Sequence, residues 1–153
     1  KKIFDDTNSL DQFDFIFIDC PPALSLLTVM AMTAATSVIV PLQCEFFALE
    51  GLSQLIKTID RVRQNLNPIL NIDGIVLTMF DKRNKLSSQV AHDVRTHLKE
   101  QVYETIIPRN VRMSEAPSFG LPALMYDHNA SGSQAYIALA NEIMKQNKTQ
   151  EAA

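Results

Sequence analysis

The chain has 153 residues, of which 46% are hydrophobic and 20% charged, and these values are typical of one globular domain. Its net charge of −3 excludes a global positive field that would hold nucleic acid, so any DNA contact must come from a local patch. No stretch approaches the ~20 apolar residues of a membrane span. The two cysteines, Cys20 and Cys44, fit neither a metal-binding nor a CxxC redox spacing.

The first half of the chain alternates predicted strands and helices. Residues 13–18 (FDFIFI) form a nearly continuous apolar run rich in aromatic and β-branched residues, which predicts a buried parallel strand. An apolar helix is predicted over 24–35 and a second buried strand over 37–42. Apolar residues then recur every three or four positions, which predicts an amphipathic helix over 49–66.

The second half continues the alternation. A third strand is predicted over 72–79, and a helix follows over 87–99 with Ser87 as its N-cap. A fourth strand over 102–107 precedes a long polar loop, predicted from Arg109 to about Ala130. The last helix is predicted over 133–145.

Strands that alternate with helices predict an α/β fold, with a parallel sheet and helices on both of its faces. In such sheets the carboxyl ends of the strands gather the functional groups. Here those ends carry polar or reactive residues in four places: Asp19-Cys20, Gln43-Cys44-Glu45, Phe80-Asp81-Lys82-Arg83 and Pro108-Arg109-Asn110. The sequence therefore predicts a site at this edge of the sheet.

Four segments resemble the ParA/Soj family of partitioning ATPases, in order and at family-like spacing. They are FIFIDCPPALSLLTVMA, VIVPLQCEFFALEGLSQLIKTI, GIVLTMFDKRNKLSSQV and IPRNVRMSEAPSFGLPALMYD, and the resemblance covers roughly residues 10–145. The resemblance implies a P-loop NTPase fold of the deviant Walker A, MinD/ParA type. It also implies ATP and Mg²⁺ as cofactors, a nucleotide-dependent homodimer, non-specific DNA and a ParB-type protein as partners, and a cytoplasmic, nucleoid-associated protein.

The glycines of the chain bear on that resemblance. The family's deviant Walker A loop, of KGGxGKT type, precedes these segments, whereas none of the four glycines here is followed by Lys-Ser/Thr. We therefore expect residues 1–145 to be the C-terminal portion of a single ParA-type ATPase domain and residues 146–153 to be a polar tail. On this expectation the intact parent hydrolyses ATP and the chain alone is inactive.

The resemblance implies roles for individual residues. Asp19 matches the Walker B aspartate that holds Mg²⁺ through water, and Pro108, Arg109 and Asn110 match the segment that borders the adenine. Met79 ends a strand near the same pocket and is expected to pack on the base. The residues by themselves leave other roles open: Asp19 suits a helix N-cap, Pro108 ends a strand, Asn110 suits a turn and Met79 suits a core.

Two arginines in polar loops resemble the DNA-binding arginines of Soj. Arg83 and Arg112 each follow a strand, and the planar fork of arginine can donate two hydrogen bonds to a phosphate. An ordinary solvated surface is the alternative for both.

Two other functions stay open at this point. One is a non-catalytic module that contacts DNA or proteins, which the missing glycine loop favours for the chain taken literally. The other is a MinD-like membrane ATPase, which would end in a basic amphipathic helix. Residues 146–153 contain no large apolar side chain, and this argues against membrane targeting.

Overall fold

The computed structural model describes residues 12–21 and 25–151, and most of this backbone follows the predicted alternation. The described strands are β1 (Ser37–Gln43), β2 (Asn71–Phe80) and β3 (Val102–Pro108). The described helices are α1 (Leu26–Ala34), α2 (Ala48–Asn65), α3 (Lys85–Leu98), α4 (Val111–Glu115), α5 (Ala123–Tyr126) and α6 (Ser131–Glu151). Short 3₁₀ turns cover Lys99–Gln101 and Ala116–Phe119.

The three described strands form one parallel sheet in the order β1-β2-β3. Between β2 and β3, Ile75 pairs with Val102 and Leu77 pairs with Ile106, so β3 advances four residues while β2 advances two. This irregularity is a bulge in β3, and a bulge leaves backbone groups without ladder partners.

Two charged side chains satisfy the backbone of this bulge. The Glu142 carboxylate on α6 accepts hydrogen bonds from the backbone N–H groups of Glu104 (2.6 Å) and Thr105 (3.0 Å). The Arg95 guanidinium on α3 donates to the carbonyl oxygens of Tyr103 (3.2 Å) and Glu104 (2.9 Å). The bulge is therefore a hydrogen-bonded feature that ties both helices to β3.

The chain divides into two compact units, and each has its own core. The first contains the described residues up to Val38 together with Glu50–Asp73. Its buried apolar residues are Met32, Ile59, Val62 and Leu70. The buried Asn67 amide donates to the carbonyls of Met32 (2.9 Å) and Ala35 (2.7 Å), and so satisfies the C-terminal end of α1.

The second unit contains Ile39–Leu49 and the residues from Gly74 onward. Its core joins β2 and β3 to one face of α6. The buried members are Val76, Tyr103, Ile107, Leu139 and Ile143. In both units, the described part of the chain holds no helix long and apolar enough to cross a membrane.

The strand predicted at residues 13–18 does not form. These residues have no strand geometry, and the large apolar side chains among them are exposed, with Phe17 at 71%. A buried strand needs hydrogen-bonding neighbours on its edges, and an apolar run does not supply them. The prediction of strand at this position is wrong for the described chain.

Three smaller predictions are also corrected. The polar loop predicted from Arg109 contains the short helices α4 and α5 and a 3₁₀ turn. The N-cap of α3 is Asn84 and not Ser87, because the Asn84 side chain accepts from the Leu86 N–H. The last helix begins at Ser131 and continues through Glu151, so residues 146–151 are helical.

Candidate functional site

The carboxyl ends of the three strands meet at a cleft of about 340 Å³ in the second unit. Residues that follow β1, the last residues of β2 with the turn after it, and the residue after β3 all contribute to its wall. The lining residues are Cys44, Glu45, Met79, Asp81, Arg83, Asn84, Ser87 and Arg109. Three of the four strand-end segments singled out in the sequence therefore meet at this cleft.

Met79 reaches the cleft through an unusual backbone conformation. Its φ of 53° lies in the left-handed region, which is uncommon for residues other than glycine. The β2–β3 register shifts again between Leu77 and Phe80, and the Arg109 N–H donates to the Phe80 carbonyl at 3.0 Å. Strain of this kind is held in place by surrounding hydrogen bonds and is common at functional sites.

Asp81 and Arg83 form a two-pronged ion pair on the cleft wall. Arg83 Nε donates to Asp81 Oδ1 at 3.0 Å, and Nη2 donates to Oδ2 at 2.8 Å. The Arg83 backbone N–H also donates to Oδ1 at 3.0 Å. These hydrogen bonds from Arg83 lower the pKa of Asp81 to about 2, so the carboxylate is ionised at neutral pH.

A second ion pair lies on the same wall. Arg109 Nη2 is 3.5 Å from Glu45 Oε1, and both side chains are more than half exposed. With Asp81 and Arg83, the cleft thus carries two carboxylates and two guanidinium groups. The formal charges of these four side chains sum to zero.

The start of α3 is anchored to the segment after β1. The Ser87 hydroxyl donates to the Cys44 carbonyl at 3.1 Å, and both residues are buried. Burial raises the pKa of the Cys44 thiol, which keeps it protonated and unreactive. Cys44 and Ser87 therefore form a buried contact that joins two walls of the cleft.

Pro108 and Asn110 flank Arg109 but lie outside the cleft lining. Pro108 is the last residue of β3 and pairs with Phe80. Asn110 is the N-cap of α4: its side-chain oxygen accepts from the Met113 N–H, and its Nδ2 donates to Ser131 Oγ at 2.9 Å. Of the predicted adenine-bordering residues in this segment, the structure brings only Arg109 to the cleft.

Arg112 belongs to a separate network on α4 and α5. Its Nη1 donates to Glu115 Oε2 at 3.1 Å, and its Nε lies 3.6 Å from Asp127 Oδ2. Glu115 Oε2 also accepts from the Tyr126 hydroxyl at 3.2 Å, and the Tyr126 ring stacks on Phe119 with centroids 5.0 Å apart. The two predicted DNA-binding arginines thus both pair with carboxylates of this chain.

Asp19, the predicted Mg²⁺ residue, is exposed in the first unit. Pro22, which follows it in the motif, lies outside the described residues. Two more residues of the predicted strand-end segments, Asp81 and Glu45, line the cleft, although no role was predicted for either of them from the sequence. The Asp-x-Arg spacing at Asp81 and Arg83 was a readable signal, because an aspartate commonly accepts from a backbone N–H two residues on.

Comparison with known proteins gives relatives over most of the chain. A sequence model of the AAA domain family matches residues 3–72. The chromosome partitioning protein ParA of Caulobacter vibrioides strain NA1000 is 61% identical over 140 residues, which are 92% of this chain and 52% of that protein. The sporulation initiation inhibitor protein Soj of Bacillus subtilis strain 168 is 51% identical over 131 residues, 86% of this chain and 52% of Soj.

A solved structure agrees with this relationship. The septum site-determining protein MinD of Pyrococcus horikoshii, complexed with Mg-ADP, superposes with a TM-score of 0.71 at 27% identity, over 91% of this chain and 54% of MinD. The chain spans about half the length of the curated relatives it matches.

Proposed function

Since this chain is a homologue of the ParA and Soj chromosome-partitioning proteins, with the α/β fold of P-loop NTPases, we propose that it forms part of a partitioning ATPase. The proposed protein binds ATP with Mg²⁺, dimerises with nucleotide bound and holds DNA without sequence preference. A ParB-type protein is its proposed partner. Its proposed place in the cell is the nucleoid.

The observation that carries this proposal is the cleft at the strand ends. Its volume is at the low end of the range for small-molecule sites. Met79 is the one large apolar side chain among the described lining residues, which are otherwise mostly polar, and the ion pairs of Arg83 and Arg109 are balanced in formal charge. A nucleotide base could pack on Met79 and form hydrogen bonds to the polar residues around it, with the phosphates held elsewhere. Pro108 and Asn110, which flank the cleft residue Arg109, are proposed to border the adenine with it.

Asp19 is the proposed residue for Mg²⁺. Its carboxylate is exposed and offers the oxygen atoms that hydrated Mg²⁺ prefers. When bound, Mg²⁺ neutralises charge on the nucleotide phosphates. The role of Asp19 is to hold the hydrated ion in place.

Arg83 and Arg112 are the proposed DNA contacts. Both guanidinium groups are exposed, with side-chain exposures of 89% and 58%. Lys82 and Lys85, also exposed, add positive charge on either side of Arg83. Contacts to phosphate from such loops carry no sequence information, as non-specific DNA binding requires.

The test of the base site is Met79→Ala in the full-length protein that carries this sequence, with Mg-ATP affinity measured by calorimetry. We expect affinity to fall about tenfold, which corresponds to ~1.4 kcal/mol. Met144→Ala is the matched control, because Met144 is an exposed methionine on α6 outside the cleft. Equal Mg-ATP affinity in both variants and the parent would place the base elsewhere.

A further inference from the structure

The ion pair between Asp81 and Arg83 occupies the groups that Arg83 would offer to DNA. Asp81 binds Nε and Nη2, the two nitrogens along one edge of the guanidinium, in a parallel two-bond arrangement. A phosphate that binds arginine in the same two-bond manner competes for these donors. Arg83 is 89% exposed, whereas Asp81 is 24% exposed and is also fixed by the Arg83 backbone N–H.

The charges of residues 81–85, which follow β2, also favour competition between Asp81 and a DNA phosphate for Arg83. Counterion release from DNA depends on how many phosphates a protein neutralises with unpaired positive charge. Asp81 stays ionised at neutral pH, because its hydrogen bonds from Arg83 hold its pKa at about 2. While this pair is closed, Arg83 adds no net charge to the loop, and Lys82 and Lys85 are its remaining cations.

We propose that Asp81 is an internal competitor for Arg83, whose carboxylate must be displaced by duplex phosphate and which therefore sets how tightly the protein holds DNA. This inference rests on the proposed DNA contact of Arg83. It makes Asp81 a residue that tunes affinity and does not itself touch DNA. Because the Arg83 side chain is almost fully exposed, the displacement is weakly opposed, and the pair opens when phosphate arrives.

The experiment compares Asp81→Asn with the parent in the full-length protein with Mg-ATP bound, using a labelled mixed-sequence duplex across a salt series. Asparagine keeps an oxygen that accepts from the Arg83 N–H but loses the charge. We expect binding to tighten about two- to fivefold, the range that an exposed ion pair supports. We also expect the slope of log affinity against log salt to steepen by up to about one unit.

Asp60→Asn is the matched control. Asp60 pairs with Arg63 at 3.2 Å on α2, so this variant makes the same change in net charge by opening an exposed Asp–Arg pair elsewhere. It should leave DNA affinity unchanged. Equal tightening in Asp60→Asn and Asp81→Asn would show a global charge effect and overturn the proposal, as would parent-like or weaker binding in Asp81→Asn.

Arg83→Ala separates this inference from the function on which it rests. If Arg83→Ala weakens DNA binding but Asp81→Asn does not strengthen it, the competitor role fails and the DNA contact stands. If Arg83→Ala binds DNA like the parent, both fail. Asp81→Ser is the second variant should Asp81→Asn fold poorly, because serine also offers a short acceptor to the Arg83 N–H; parent-like binding by Asp81→Ser would overturn the proposal in the same way.

Discussion

Arg83 and Arg112 carry the same proposed task in two differently built regions. Arg83 lies in the turn after β2, has one carboxylate partner and is 89% exposed. Arg112 lies on α4, where Glu115 and Asp127 both approach its guanidinium and Tyr126 shares the Glu115 oxygen. The first arginine is held by one nearby residue, and the second is part of a network that joins α4 to α5 and to the start of α6.

This difference separates two ways in which an exposed cation can be paired. A single local partner leaves the side chain free to exchange that partner for a ligand. A network makes the same side chain a part of the local fold, so its removal affects structure and binding together. Asp127 shows this second case, because its Oδ1 also accepts from the backbone N–H groups of Asn129 and Ala130 at 3.1 Å each.

The prediction with the largest expected effect on stability tests whether α4, which carries Arg112, packs closely against the start of α6. Gly132, at the start of α6, has little room for a side chain, because an added Cβ would collide with the Met113 side chain and come within 3.2 Å of Asn110 Cβ. The Met113 side chain is flexible and can move in part, so Gly132→Ala should lower the free energy of unfolding by about 1 kcal/mol. Urea denaturation monitored by circular dichroism measures the change.

Gly51→Ala is the control for that prediction. Gly51 lies inside α2 with nothing within 4 Å of its added Cβ, so alanine there should stabilise the helix by about 0.5–1 kcal/mol. Unchanged stability in Gly132→Ala would mean that Met113 moves aside at no cost and that α4 is loosely packed against the start of α6.

A smaller expected effect, on the midpoint of thermal unfolding, distinguishes Arg112 from Arg83. Arg112→Ala should lower the midpoint of thermal unfolding, because Glu115 and Asp127 lose their shared cation, whereas Arg83→Ala should leave the midpoint almost unchanged. Both variants should weaken duplex binding by similar factors and reduce the salt slope by about one unit each. Differential scanning calorimetry and a DNA titration across salt concentrations measure the two properties. Equal midpoints in the two variants would contradict the proposed difference between the regions.

The smallest expected effect is the loss of stability at low pH, where Asp81 of the Asp81–Arg83 ion pair becomes protonated. The pKa of Asp81 is lowered from 3.8 to about 2 in the folded chain, so the pair contributes stability in full above about pH 4 and loses it as the pH falls through about 2. Carboxyl carbon chemical shifts followed by NMR should show Asp81 titrating near pH 2. An ordinary aspartate titration near 3.8 would mean that the pair is open in solution.

Much of the second unit could be predicted from the sequence, since its strands and helices have clear apolar patterns. These apolar patterns are clearest in β2, β3 and α6. The polar residues that follow β2 and β3 mark the edge of the sheet at which the cleft lies. The pairing of Asp81 with Arg83 was not predicted, because a side-chain partner depends on the turn geometry after Phe80. The Glu142 contact to the β3 bulge could not be predicted either, because it joins residues 37 and 38 positions apart.

The run at residues 13–18 shows the limit of such patterns. It is as apolar as the strand β1, yet β1 is paired in the sheet and this run is exposed. Apolar composition favours burial, but a strand also needs neighbouring backbone to accept and donate its hydrogen bonds. Those neighbours are not encoded in the run itself.

We propose that this chain belongs to an ATPase that holds DNA through Arg83 and binds its nucleotide at a separate group of residues. The most direct measurement is duplex binding by the full-length protein, with and without Mg-ATP, for the parent and for Arg83→Ala, with Mg-ATP affinity measured on the same samples. We predict DNA binding that depends on Mg-ATP in the parent, and a weaker, less salt-dependent binding in Arg83→Ala with Mg-ATP affinity unchanged. Parent-like DNA binding in Arg83→Ala, or loss of Mg-ATP binding together with DNA binding, would contradict the account.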